Sequence, residues 1–122
     1  MEIPDLDANE RLVLVAAIGY VTGSDAHVSE GEHAVVQRVA AALGDDAYRA
    51  TAAECGRRFR DEQEVLMFAP VIQRPAAREL IYETALEAAL PDAIDARESD
   101  FLQRLAKTWH LHVNFAPPSG TR

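Results

Sequence analysis

A chain of 122 residues with 48% hydrophobic side chains is long enough to bury a sizeable core, and its abundant alanine with only 7% aromatics favours helices over strands. Twenty acidic side chains against 12 basic ones give a net charge of −8; this field opposes phosphate-contact binding to nucleic acid and adsorption to an anionic membrane, and admits cations or basic partner surfaces. The single cysteine, Cys55, excludes an intrachain disulfide and a cysteine-based zinc site, while the acidic N-terminus and the shortness of the longest apolar run point to a soluble cytoplasmic protein without direct membrane insertion.

Asp7-Ala8-Asn9-Glu10 reads as a capping box, in which the aspartate accepts from the amide three residues on and Glu10 reaches back. It predicts a first helix over about 8–22. Leu12 to Ile18 leave that helix without a polar face in its middle, which marks it as central and covered on several sides. Gly23 is a stop signal. Ser29-Glu30-Gly31-Glu32 is a second capping box and opens a helix over about 30–43. Here Val35, Val36, Val39, Ala40 and Leu43 form one apolar stripe, Glu32, His33, Gln37 and Arg38 face outward, and Gly44 ends the helix.

Asp45 or Asp46 is the expected cap of a third helix, roughly 46–59, with Tyr48, Ala52, Cys55 and Phe59 on one side. Cys55 on that stripe reads as a small buried hydrophobe. Asp61-Glu62-Gln63-Glu64 is a further capping box; it starts a fourth helix carrying Val65, Leu66, Phe68, Ala69 and Ile72 inward, which Pro70 must kink or end. Pro75 suits the first turn of a fifth helix over about 75–90, with Leu80, Ile81, Ala85, Ala88 and Ala89. Asp95-Ala96-Arg97-Glu98 opens a sixth, with Phe101, Leu102, Leu105, Ala106 and Trp109 inward. Residues 113–122 read as a mobile tail on which Val113 and Phe115 are the docking candidates.

A shift of 66 residues superposes the two acidic turns: Val28 meets Ile94, Ser29 meets Asp95, Glu32 meets Glu98, and Gln37-Arg38 meets Gln103-Arg104. Each copy is a helix, an acidic turn and a second helix, and neither hairpin buries its own apolar face. The expected architecture is therefore an all-α bundle of about six to seven helices in one domain with its core over about 8–112. Two pseudo-repeated hairpins (about 8–43 and 75–109) pack about a pseudo-twofold axis and are bridged by the two middle helices.

This pattern, an apolar helix, a small residue, Asp25, Val28, Ser29 and Glu32 ahead of an amphipathic helix, with a degenerate copy around Ile94, Asp95 and Glu98 and the ending Leu105-Ala106-Lys107-Thr108-Trp109-His110-Leu111, resembles the TerB-like (tellurite resistance protein B) domain over roughly residues 8–112. The chain departs from the family pattern at Ala26, where glycine is usual, and at Pro91, which stands where the second copy would have its aspartate and leaves Asp92 one position late. The resemblance implies an acidic, cytoplasmic, non-enzymatic helical module of tellurite-resistance or general stress-response systems. Its implied partners are other proteins of a stress-response complex or a second copy in a homodimer, not nucleic acid. It also implies a divalent cation, calcium or magnesium, at Asp25 and Glu32 in the first turn and at Glu98, with Asp95 and Asp92 as helpers, in the second.

The residues themselves bear on that expectation from both sides. Hard cations take several oxygens, and Asp25 with Glu32 brackets a turn whose carbonyls and Ser29 hydroxyl add more. The turn is not an EF-hand, since the alternating ligands and twelve-residue span are missing. Equally, Ser29/Glu32 and Asp95/Glu98 are accounted for as capping boxes, with acidic groups favoured at helix N-termini. Asp25 discriminates, because a carboxylate at the end of the first helix is electrostatically disfavoured there and requires a cation or an arginine such as Arg38. His27 and His33 read as surface residues, and His110 with His112 do not share a helix face. Arg57-Arg58-Phe59-Arg60 is the basic cluster; it suits an acidic partner or a phosphate, but in so acidic a chain the favoured reading is charge balance. Three readings stand: a cation-binding module, a metal-free protein–protein interaction module of the same fold, and, least favoured, a paired-carboxylate enzyme.

Overall fold

The computed structural model describes residues 1–22, 30–89 and 96–111, with the side chains of 22 and 30–33 outside that description. Among the described residues there are six α-helices and no strand: α1 Ala8–Thr22, α2 Glu30–Leu43, α3 Asp45–Arg58, α4 Glu62–Phe68, α5 Pro75–Ala89 and α6 Ala96–Thr108. Single 3-10 turns precede α1 at Ile3–Asp5 and follow α4 at Ala69–Val71. The all-helical architecture expected from composition and periodicity is the one observed.

α1 is the central helix. Its middle, from Leu12 to Ile18, is buried throughout, as its lack of a polar face requires, and it lies against α5, α3 and α4. α2 packs on α5 and α3, so the second helix of the first repeat rests on the first helix of the second; α6 packs on α5 and α4. One buried apolar cluster runs from Ile3 to Trp109 and draws on five of the helices, with Tyr48 and Cys55 of α3 packed against it. Offset by 66 residues, α1 falls on α5 and α2 on α6 with their ends in near register, which supports the internal repeat.

The start of α1 is fixed by chemistry that only half shows in the sequence. Glu10 accepts the Asp7 amide at 2.8 Å and Asp7 accepts the Glu10 amide at 2.9 Å, closing the expected capping box. The Glu10 carboxylate, 2% exposed, also accepts a forked pair of bonds from Arg74: Nε to Oε2 at 2.8 Å and Nη2 to Oε1. Arg74 in turn donates to the Asp5 carbonyl at 3.1 Å. Since Arg74 directly precedes α5, this clamp makes α1 and α5, the two equivalent helices of the repeat, begin at the same place in the bundle.

Several expectations need correction. Ile3 and Leu6 belong to the core, so the packed chain begins earlier than residue 8; the Glu2 amide bonded to Asp5 at 2.9 Å tightens that N-terminal turn. Neither Asp45 nor Asp46 caps α3. Gly44 occupies the cap with φ 96, a conformation that costs glycine little and lets α2 stop and α3 start without a spacer. Asp61 does cap α4, accepting the Glu64 amide at 3.1 Å, but Glu64 reaches past it to the Arg60 amide at 2.7 Å, so the box is offset by one residue. Pro70 ends α4 as expected, the chain tightening into the 3-10 turn. The Ala69 carbonyl left at that end accepts from Ile72 and from the Trp109 indole N–H at 2.8 Å, giving the buried tryptophan its polar partner.

α6 ends in a Schellman arrangement. The Leu111 amide bonds to the Ala106 carbonyl and the His110 amide to the Lys107 carbonyl, with His110 at φ 57 in the position that glycine usually fills. His110 is thus a helix terminator. His112 and the docking candidates Val113 and Phe115 lie outside the described residues.

Candidate functional site

The five expected metal ligands are unequally placed. Asp25, Asp92 and Asp95 lie outside the described residues, as do His27, Ala26 and Pro91. Glu32 sits in the first turn of α2, with its side chain outside the description. Glu98 alone is fully described: it lies in the first turn of α6, is 6% exposed, and is already engaged by a neighbouring group. Among the described residues no three histidine, cysteine or acidic side chains gather closely enough to hold a metal. Arg38, the arginine considered as a partner for Asp25, is committed elsewhere. It makes a bidentate pair with Glu87 of α5 at 2.9 and 2.7 Å, which lowers the Glu87 carboxyl below its ordinary range.

Among the described residues, one concave feature lies between α1 and α3. A groove of about 460 Å³ is walled by Val15, Ala16, Gly19 and Tyr20 from α1 and by Tyr48, Ala52, Cys55 and Gly56 from α3, with Phe59 and Arg97 closing its ends. It is the size of a small-ligand pocket, which spans roughly 300–1,000 Å³. The expected apolar side of α3 faces this groove, so it is only partly covered: no α3 residue is fully buried, Ala52 is exposed, and Cys55 is half-buried where a wholly buried residue was expected.

Two glycines help to keep the groove open. Gly19 and Gly56 are helical residues, and a Cβ at either would meet nothing within 4 Å. Close helix packing therefore does not demand them, although each costs about 0.5–1 kcal/mol of helix stability relative to alanine. They are the sequence signal of the groove, and periodicity reads past them because neither is apolar or polar enough to interrupt a stripe.

The polar groups of the groove are held in unreactive states. The Cys55 thiol donates to the Leu12 carbonyl at 3.3 Å; burial, with the Glu54 charge adding, pushes it up to about 11. Burial likewise raises the Tyr48 phenol. Tyr20 is raised by burial first and then by the negative charges of Asp61, Glu62 and Glu64, and its ring lies 5.7 Å from that of Phe101. Arg97 at the rim faces Glu62 at 3.6 Å in an exposed pair. At neutral pH the groove thus presents a thiol, two phenols and a guanidinium among apolar walls: groups suited to hold a guest, with no thiolate or base among them.

No helix among the described residues is long and apolar enough to cross a membrane. Comparison with protein-family models, with curated proteins and with solved structures gives no match.

Proposed function

We propose that this chain is a non-catalytic, acidic helical interaction module that receives an apolar group of a partner in the groove between α1 and α3. The observation that carries this reading is the groove itself: a partly covered helix face, two aromatic hydroxyl groups, and two glycines that leave space empty. Its titratable groups are protonated or paired at neutral pH, which suits recognition and does not suit nucleophilic or general-base chemistry.

The resemblance to the TerB-like domain supplies a second reading, a divalent-cation-binding role in a tellurite-resistance or stress-response system. It is favoured by the Glu10–Arg74 clamp, which starts α1 and α5 together, so that the helices leading to both acidic turns set out from one place. Against it stands Glu98, which is buried and already has a partner.

Calorimetric titration with calcium, magnesium and manganese, followed in parallel by amide spectra, separates the two. A metal-free interaction module gives no saturable heat and no amide shifts around residues 23–32 and 91–98. Saturable binding that perturbs the Asp25 and Glu32 amides and disappears in Asp25→Ala replaces it with the cation reading.

A further inference from the structure

α4 presents an apolar ridge to solvent. Its back, Val65, Leu66 and Ala69, is buried, while Met67 is 70% exposed and Val71, just beyond, 50% exposed, with Pro70 also exposed between them. A wholly surface-facing methionine beside a proline and a valine is a small contiguous apolar surface, and methionine's flexible thioether adapts to varied partners.

Two depressions flank the ridge, and both have Met67 in their wall. One, of about 530 Å³, is lined by Arg58, Phe59, Glu64 and Phe68; the other, of about 380 Å³, by Gln63, Leu66, Arg104, Lys107 and Thr108. Cations thus stand on both sides of an apolar centre. Arg58 is stacked over the Phe68 ring at 5.3 Å, which fixes its guanidinium beside the first depression. Lys107, the only lysine in the sequence, makes no ion pair among the described residues. Arg58 and Arg104 face Glu54 and Asp100 at 3.7 and 3.6 Å in exposed pairs, long and solvent-screened enough to exchange for an incoming carboxylate. The local acid Glu64 is offset by Arg60, whose amide it accepts at 2.7 Å and whose guanidinium it faces at 3.5 Å.

In a chain of net charge −8, this arrangement selects its occupant by charge. At physiological salt the net field is screened beyond about 8 Å, so a short segment with a few carboxylates is governed by the cations beside it, whereas a long polyphosphate backbone runs on over the acidic surface and is repelled. The chain's own acidic N-terminal stretch is not available to a second copy, because Ile3 and Leu6 are committed to its own core. We propose that the Met67 ridge is a docking face for a short acidic segment of a partner protein. An apolar side chain of that segment packs on Met67, and its carboxylates face Arg58 on one side and Arg104 and Lys107 on the other. This surface is separate from the α1–α3 groove, although Phe59 contributes to both. It gives the Arg57–Arg60 cluster a role beyond charge balance.

The test is selection of random peptides displayed on phage against the whole protein, followed by affinity measurement on the enriched peptides made synthetically. The expected result is enrichment of leucine, phenylalanine or methionine flanked by aspartate and glutamate. Binding should weaken at least about tenfold in Met67→Glu, as for a central apolar anchor, and by about two- to fivefold in Lys107→Glu, as for a solvent-exposed charge. It should also weaken as salt rises from about 0.1 to 1 M, where the screening length falls to about 3 Å. Helical circular dichroism of both exposed variants serves as the folding control. Enrichment of basic or neutral peptides, no enrichment, or affinity unchanged in Met67→Glu overturns the proposal. Affinity that survives Met67→Glu but is lost in Gly19→Leu assigns the peptide to the α1–α3 groove instead. Binding to vesicles of phosphatidylserine and phosphatidylcholine that is lost in Met67→Glu, without any acidic peptide enriched, makes the face a lipid surface and equally overturns it.

Discussion

Replacing Glu10 by glutamine tests the clamp between α1 and α5 with a minimal change of shape. The amide oxygen of Glu10→Gln still accepts the Asp7 N–H, so the cap survives, but the charge that draws the Arg74 fork is gone and an NH₂ group is turned toward a cation. Hydrogen bonds to charged groups contribute about 1.5–3 kcal/mol, and because Arg74 is 48% exposed and regains water when released, a loss of about 2 kcal/mol at pH 7 is expected. For a chain of this size that corresponds to roughly 6–10 °C in Tm. In the native protein the Arg74 hydrogen bond, aided by the Asp7 amide and opposed by burial, holds the Glu10 carboxyl below its ordinary 4.5. A lowered carboxyl pKa contributes stability that is fully present above the unfolded value and is lost as pH falls through the folded one. The gap between native protein and variant should therefore be about 2 kcal/mol at pH 7, begin to shrink below pH 4.5 as the unfolded chain takes up the proton, and close as pH falls through the lowered folded value, where native Glu10 becomes protonated and resembles glutamine. Urea unfolding at a series of pH values measures this. Arg74→Met gives the opposite slope: it leaves a buried carboxylate with the Asp7 amide as its one remaining donor among these contacts, burial raises the pKa, and the variant loses stability as pH rises through that raised value. A gap for Glu10→Gln that is unchanged between pH 7 and pH 3 would refute the clamp.

Three further outcomes are expected. With its pKa near 11 against an ordinary 9.0, Cys55 should react with a disulfide reagent about 100-fold more slowly in the folded protein than in the urea-unfolded chain at pH 8; equal rates would contradict its bond to Leu12. His110→Gly relieves a left-handed residue at the end of α6 and should raise stability by about 0.5–1 kcal/mol in thermal unfolding, while a loss would show that the histidine ring itself is needed. Gly19→Ala and Gly56→Ala should each stabilise by about 0.5–1 kcal/mol, because the added methyl enters open space; destabilisation in chemical denaturation would mean that the groove is closed in solution.

Local signals in the sequence carried the framework far. The capping box at Asp7 and Glu10, the pair Gly44 and Pro70, and Pro75 place the helix ends because each acts on backbone within one turn. The stripe Phe101, Leu102, Leu105, Ala106 and Trp109 is buried as its spacing requires. Relations between distant residues were not legible. Nothing in the dipeptide Arg74-Pro75 announces a partner 64 positions earlier, and Arg38 pairs with Glu87 for reasons that exist only once α2 lies on α5. The burial of Ile3 and Leu6 was hidden by the polar composition of their neighbours. α3 shows a helical apolar stripe that says which side faces the bundle, but not that the bundle stops short of filling the space beneath it. Empty volume has no residue of its own, and here its trace is two glycines in helices. Of the acidic site, the sequence places Glu98 at a helix start correctly, while its burial follows from α6 packing on α5 and α4.

The binding role of the α1–α3 groove is tested most directly by titrating indole, a neutral aromatic probe, into the isotopically labelled protein and following the amide spectrum. Saturable shifts centred on Gly19, Tyr20, Ala52 and Gly56, abolished in Gly19→Leu while the shifts of α5 stay silent in both proteins, are the expected result. Shifts scattered over the surface, or unchanged in Gly19→Leu, would contradict it.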